Sequence, residues 1–454
     1  MTAARLHLPA RPGWSWSGAS VTVRRAVAAV LLVAILVPAL LLRLDAATGR
    51  AHHLSADEKA YLAVAAGIRQ RGVYGNRVLE HPFHWAPGAP ALFALADRLS
   101  GHGADGTVDR RSARTAQAVV GTLTVGAAFA LAAVLAGLWA GLAVAAAVAF
   151  YPPAIEASSL LVSEPLGALA ITAAFALLAW AVRRGGAAWY AVAGAALGAA
   201  CLVRADVLLG ALVLVVGVAV AGWRSGGRGT GLRAGAALLA GMLVLLAPWT
   251  AFASRRAHAF VPITDGGAST LFVATYLPGH GTIFGLKHAL LGELVRRHPR
   301  YRHVPIQRIS SSAFLNTVAA RHPQLTHDAA ISAELRRNLR VYVLGRPVAF
   351  AKLTATKIGR MWGAPFRGTY RRGTATLLWT HRVLLALALL GLLCGLWRRR
   401  SAPLVLVALG LLVIAAVNVA FVAEARHAFR LMPAVLAAGA AGWALLLARP
   451  REPA

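Results

Sequence analysis

The chain has 454 residues, 58% of them hydrophobic and only 14% charged, with a mean hydropathy of +0.63. A soluble core of that length needs more polar surface, so lipid is the natural solvent for the apolar runs that recur from end to end. The formal net charge of +31 would suggest nucleic acid in a soluble protein. Here the basic residues fall between apolar runs or in one long polar loop, which points to membrane lipid headgroups and phosphate-bearing substrates and to no nucleic acid. Cys201 and Cys394 both sit inside apolar runs, which excludes a disulfide framework and a cysteine-based metal motif.

A membrane helix needs roughly 20 mostly apolar residues. About ten segments approach this: 25–44, 114–136, 138–155, 159–182, 187–203, 206–223, 232–253, 379–397, 402–421 and 428–448. The first follows Arg24-Arg25, exceeds a signal-peptide core and lacks a clear small-residue cleavage site, so it reads as a retained span. Segments 138–155 and 187–203 are short and rich in Ala and Gly, which suits close helix–helix packing. The fold class expected is an all-α polytopic membrane protein.

In the ten-span reading Arg24-Arg25, Arg183-Arg184, Arg224, Arg228, Arg233, Arg398-Arg399-Arg400, Arg449 and Arg451 share one side, which the positive-inside rule makes cytoplasmic. The chain then divides into a cytoplasmic segment 1–24, a transmembrane module 25–253 that includes an extracytoplasmic loop 45–113, a large extracytoplasmic loop 254–378, C-terminal spans 379–448 and a cytoplasmic tail 449–454. Within the large loop, Ala333 to Val343 and Val348 to Trp362 have basic and apolar faces suited to helices lying along the interface. Trp14, Trp16, Arg5 and Arg11 look like a cytoplasmic interface anchor.

Only sixteen residues are acidic, so those at the ends of spans carry information. Asp57 and Glu58 open an amphipathic stretch in which Tyr61, Ala65 and Ile68 share a side. Glu164 sits in Ser163-Glu164-Pro165, Arg204 and Asp206 form a short turn, and Glu424, Arg426 and His427 form another. All fall on the extracytoplasmic side of the ten-span reading. Ionisable groups at this depth are costly unless paired or functional. The plainer readings are local ion pairs for Arg204 with Asp206 and Glu424 with Arg426, and a helix N-terminus for Asp57-Glu58. Glu164 precedes a proline in an apolar stretch with no cation beside it in sequence, which is harder to dismiss. His52, His53, His81 and His84 match no metal-ligand spacing.

Four features together resemble the GT-C superfamily of membrane glycosyltransferases, in the branch of protein O-mannosyltransferases and the lipid A aminoarabinose transferase. They are Asp57-Glu58-x-x-Tyr61 followed by Gly72-Val73-Tyr74, the segment Trp85-Ala86-Pro87-Gly88-Ala89-Pro90-Ala91-Leu92, Ser163-Glu164-Pro165-Leu166, and Glu424-Ala425-Arg426-His427 ahead of Pro433. Pro262 to Gly267, Asn338 to Tyr342, Lys357 and Trp362 also look like bacterial members of the branch. The proline segment reads Ala-Pro-Gly where a double proline is more usual. The resemblance implies a polyprenyl-phosphate sugar donor, transfer at the outer face, and a catalytic carboxylate in the first outer loop, a role that falls on Asp57.

The chemistry suits these residues. A lipid-phosphate leaving group is already anionic, so transfer needs a carboxylate to take the acceptor proton and a cation to hold the departing phosphate. Asp57 is the expected base, with Glu58 and Glu164 orienting hydroxyls. Arg204 is the expected phosphate clamp and Arg426 the second candidate. Tyr61, His84, Asp206, Glu424 and His427 are the expected substrate contacts. A divalent metal beside Asp57 and Glu58 is compatible with the sequence and required by nothing in it. The acceptor is a protein, a lipid or a glycan. The Ala/Arg/Gly-rich composition resembles that of a GC-rich bacterium and suggests the plasma membrane. The competing readings are a transporter or flippase for an anionic lipid or solute, and a non-catalytic membrane scaffold; the first expects repeated halves, and none is visible.

Overall fold

The computed structural model describes residues 21–49, 53–75, 82–101, 107–366, 374–398 and 401–447. The N-terminal anchor residues, His52, His81, Arg399, Arg400, Arg449 and Arg451 lie outside them. The described residues contain helices and no strand. In chain order the helices are α1 (Val21–Thr48), α2 (Ala56–Arg71), α3 (Gly88–Ser100), α4 (Arg110–Ala136), α5 (Leu138–Ala149), α6 (Pro152–Glu156), α7 (Glu164–Arg184), α8 (Ala187–Val203), α9 (Leu208–Gly226), α10 (Arg228–Ala257), α11 (Gly267–Thr275), α12 (Ile283–Arg297), α13 (Ser311–Ala319), α14 (His327–Asn338), α15 (Pro347–Trp362), α16 (Ala375–Arg398), α17 (Ala402–Ala420), α18 (Ala425–Phe429) and α19 (Met432–Leu447). They form two compact units: Met1–Ile263 with Pro365–Ile414 and Ala428–Ala454, and Thr264–Ala364 with Ala415–His427.

Seven helices among the described residues are long and apolar enough to cross a membrane, and a bent pair makes an eighth. α8 and α19 are apolar but, at 17 and 16 residues, shorter than a full span. The ten expected spans therefore resolve into seven full helices, one broken one and two short ones. The segment expected as a continuous span over 138–155 is the broken one, bent by 62° between Leu138–Ala149 and Pro152–Ser159. Pro152 and Pro153 have no N–H to continue the helix, and α6 restarts on them. The span expected from residue 159 begins only at Glu164, and the one expected from 428 only at Met432.

The break leaves carbonyls at the end of α5 without helical partners. Arg43, on α1 and fully buried, donates to the Val148 and Ala149 carbonyls at 3.0 Å each and to Ala39 O at 3.0 Å. A Cβ on Gly121 would come within 2.9 Å of the Arg43 Nε, so only glycine leaves α4 open to that guanidinium. An arginine inside an apolar helix is here a cap for a neighbouring helix.

Glycine also sets how closely helices approach. On α8, a Cβ at Gly194 would stand 1.9 Å from the Leu238 carbonyl of α10. One at Gly241 of α10 would stand 1.9 Å from the Ala191 carbonyl of α8. The expected close packing of the Ala/Gly-rich segment 187–203 is this backbone-on-backbone contact, made without any hydrophobic drive between lipid-facing helices.

The second unit is built around its own apolar core. Phe272, Leu286, Leu290, Leu294, Phe314 and Ile331 form its buried core, each worth roughly 1.5–3 kcal/mol of transfer free energy. Arg321 binds Glu293 (2.5 and 3.1 Å) and Glu334 (2.8 Å), and His322 binds Glu334 at 2.9 Å. Asn338 donates to Phe272 O at 3.1 Å, tying α14 to α11. The expected interfacial stretch from Ala333 continues α14 into a π-helical turn over Leu339–Leu344, and the stretch at 348–362 is α15.

Candidate active site

The start of α2 explains where Asp57 and Glu58 go. Ser55 is the N-cap, its hydroxyl accepting from the Glu58 N–H, while Glu58 Oε2 accepts from the Ser55 N–H at 2.8 Å and its hydroxyl at 3.0 Å. This reciprocal capping places two carboxylates in the first turn, where the helix dipole favours them. The other oxygen, Glu58 Oε1, accepts the Leu161 N–H at 3.1 Å from the loop before α7. Glu58 is 2% exposed, and both its oxygens hold backbone. Asp57 is half-buried on the same turn.

One turn on, Tyr61 lies against Ala65 and Phe93 in a buried cluster that Ile68 joins, as the shared helical side required. Its hydroxyl donates to Ser163 Oγ at 2.9 Å. Burial pushes the phenol up to about 12; Arg204 opposes that shift, while the Glu164 and Asp57 charges add to it. The Tyr61 ring lies 4.6 Å from Trp85, which in turn meets the His84 ring edge-on at 4.8 Å.

Arg204 ends α8 in an extended conformation and turns its side chain back toward α7. Its guanidinium binds Ser163 Oγ at 3.2 Å, Asp206 Oδ1 at 3.1 Å and, more loosely, Glu164 Oε1 at 3.7 Å. Asp206 is also gripped from the other side by Arg430, at 3.0 Å to Oδ1 and 2.8 Å to Oδ2. Arg430 is fully buried, and Glu164 is 2% exposed. Two glycines make the arrangement fit. A Cβ on Gly167 would lie 3.0 Å from Arg430 Cδ and 3.4 Å from Arg204 Cγ, so both arginine stems cross α7 at that bare spot. A Cβ on Gly88 would lie 2.7 Å from Val203 Cγ2, so the Pro87-Gly88 segment sets α3 directly on the end of α8 that carries Arg204.

Asp57, Glu58, Tyr61, His84, Glu164, Arg204 and Asp206 belong to one unit; Ser163 and Glu164 meet Arg204, Tyr61 meets Ser163, and Asp57 shares the first turn of α2 with Glu58. Glu424, Arg426 and His427 belong to the other unit. There Arg426 binds Glu424 at 2.9 Å and the Glu424 N–H donates to His427 Nδ1 at 3.2 Å. Arg430 and Ser163 were missed by the sequence reading. Arg430 sits inside the apolar run assigned to the last span, and a cation there was itself a signal. Ser163 offered none beyond its place before Glu164. No group of three or more His, Cys, Asp or Glu side chains converges among the described residues. Both Glu58 oxygens are engaged by backbone N–H groups, Oε2 by Ser55 and Oε1 by Leu161.

The arrangement is an all-α fold with several helices long and apolar enough to cross a membrane. In comparisons with solved structures, 90% of this chain superposes on the archaeal oligosaccharyltransferase AglB from Archaeoglobus fulgidus, in complex with an inhibitory peptide and a dolichol-phosphate, with a TM-score of 0.51 and 16% identity. The same oligosaccharyltransferase tethered to an acceptor peptide gives a TM-score of 0.52 at 14% identity over 90% of this chain. The chain spans about half the length of that enzyme, 50% and 49% in the two comparisons. ArnT from Cupriavidus metallidurans bound to undecaprenyl phosphate aligns over 91% of this chain and 77% of its own, with 19% identity and a TM-score of 0.42. No protein-family model and no curated protein sequence matches the chain.

Proposed function

We propose that the chain is a membrane glycosyltransferase that moves a sugar from a polyprenyl-phosphate donor to an acceptor hydroxyl at the extracytoplasmic face, with inversion at the anomeric carbon. The observation that carries this reading is the seat of Arg204, where a guanidinium from one turn meets Ser163, Glu164 and Asp206 beside a tyrosine on which the Asp57 charge also acts. The fold shared with an oligosaccharyltransferase that binds dolichol-phosphate supports it.

In this mechanism the acceptor oxygen attacks the anomeric carbon, its proton passes to the Asp57 carboxylate, and the sugar–phosphate bond breaks with its electron pair going to the phosphate. Arg204 binds that phosphate as charge builds on it. It can do so because Arg430 already neutralises Asp206, so the carboxylate nearest Arg204 does not spend its charge alone. Glu164 and Tyr61 orient the reacting groups, and Trp85 with His84 lines the approach. Glu58 is a positioning residue: it fixes the turn that presents Asp57. The loop regions 45–113 and 254–378 face the same side, and the plasma membrane is the location. No step is routed through a metal.

Asp57→Asn is the test. Transfer should fall by at least about 10³-fold, within the range of a lost general base, while membrane insertion and retention of the polyprenyl-phosphate donor stay near wild type. Turnover within tenfold of wild type in that variant removes Asp57 as the base.

A further inference from the structure

A second cationic site lies in the unit formed by Thr264–Ala364 and Ala415–His427. An open hollow of about 260 Å³ lies between the turn after α11 and one edge of α15. Leu277 and Leu353 supply apolar lining; His280, Lys352, Thr356 and Arg360 supply the polar lining. The spacing 352, 353, 356, 360 puts these α15 side chains along one edge of the helix. The adjoining row, Leu353, Lys357 and Met361, is buried in the unit, and Leu353 also meets the edge of the hollow. Arg360 reaches across to donate to the His280 carbonyl at 3.4 Å, so the two walls of the hollow are joined at one end.

No carboxylate lines the hollow. Over 264–364 there are fourteen Lys and Arg but four Asp and Glu. Glu293 and Glu334 are held by Arg321, Asp328 is beside His327, and Asp265, which also has a partner, does not line the hollow. Across the described residues, Lys352, Arg360 and His280 form no ion pair with any of these acids. The field of this cluster reaches beneath the hollow: buried Lys357, one turn from Arg360, is pushed down to about 8 by burial and by the Arg360 charge. An ammonium and a guanidinium around one hollow, with an imidazole and a hydroxyl among them and no carboxylate in the lining, repel each other unless an anion joins them.

We propose that this hollow is a binding site for a phosphate group. Lys352 supplies a point charge and Arg360 a planar fork, and a phosphate takes both together where a single carboxylate would engage one. The volume exceeds what a bare phosphate needs, and the Leu277–Leu353 lining accommodates the first carbons of an apolar stem. A lipid-borne phosphate therefore uses the whole hollow and free phosphate only its rim. The site is independent of the proposed transfer chemistry, since it shares no residue with Asp57, Glu164 or Arg204.

The experiment uses the full chain in a neutral maltoside detergent, with dioctanoyl phosphatidic acid, dioctanoylglycerol and inorganic phosphate as probes and native mass spectrometry as readout. Lys352→Gln combined with Arg360→Gln should weaken phosphatidic acid binding about tenfold or more, and leave dioctanoylglycerol binding unchanged. Thr356→Glu, an exposed helix position whose hydroxyl bonds only within its own helix, should do the same by placing a carboxylate in the hollow. Competition by inorganic phosphate assigns the free anion as a ligand, and its absence assigns the lipid-borne one. Wild-type affinity for phosphatidic acid in both variants overturns the proposal. So does binding that is lost in Arg204→Ala but kept in the Lys352/Arg360 variant.

Discussion

Arg430 holds Asp206 through both carboxylate oxygens, at 3.0 and 2.8 Å, from a position with no solvent exposure. The two are far apart in sequence, and the pair closes the site from behind while Arg204 meets the same carboxylate from the front. A buried arginine whose carboxylate partner is removed keeps its desolvation cost without the compensating attraction.

Asp206→Asn should therefore destabilise the fold by about 3–5 kcal/mol, read as a lower thermal unfolding midpoint in detergent. Pairing it with Arg430→Met removes the orphaned charge, and most of the loss should return. If the double variant is no more stable than Asp206→Asn alone, the cost is not electrostatic.

The Arg321 network sets an acid limit on the second unit. Bonding to Arg321 holds the Glu293 carboxyl below its usual range. For Glu334 burial pushes upward, but the bonds from His322 and Arg321 win and the net shift is also downward. A carboxylate with a depressed folded-state value stabilises the fold above its unfolded value, near 4.5, and loses that contribution as pH falls below it. Limited proteolysis within 264–364 should accelerate between pH 5 and 3. Arg321→Met should cost about 2 kcal/mol at pH 7 and flatten that acid transition; an unchanged transition in the variant would point to other carboxylates.

Lys357 has the opposite sign. Its amine is 1% exposed, donates to Ala274 O and Ala420 O at 3.3 Å each, and sits at about 8 against 10.5 for a free lysine. Below about 8 both folded and unfolded chains carry the charge, and the folded one bears the burial cost. Between 8 and 10.5 the unfolded chain binds the extra proton, so stability rises with pH through that window, by up to about 3 kcal/mol. The unfolding midpoint should climb over this range in the wild type and stay level in Lys357→Met.

The contact between α8 and α10 offers a test in the apolar unit. Gly194→Val should abolish accumulation of folded protein, because the new side chain lands on the Leu238 carbonyl. Gly126→Ala, on the α4 helix with nothing within 4 Å of a new Cβ, should be neutral or slightly stabilising. Equal expression of both variants would mean that α8 and α10 do not approach this closely.

What was legible in the sequence divides along physical lines. Hydropathy found the long helices because lipid leaves the backbone no alternative, and acids at span ends marked Asp57, Glu164 and Asp206 because such placement is costly. The break at Tyr151-Pro152-Pro153 was missed, because a continuous span was read over 138–155, although two prolines inside an apolar run cannot continue a helix. Ser55-x-x-Glu58 carried its own start signal. Arg43 and Arg430 were not legible: which carbonyl or carboxylate a buried guanidinium serves depends on residues more than a hundred positions away. The same holds for Glu58, whose second oxygen reaches Leu161.

That second oxygen has a consequence for traffic. A single carboxylate latches the first turn of α2 to the threshold of α7, and Tyr61 adds a second fastening to Ser163. α2 cannot swing aside to admit a bulky guest without undoing both, and doing so would carry Asp57 off with it.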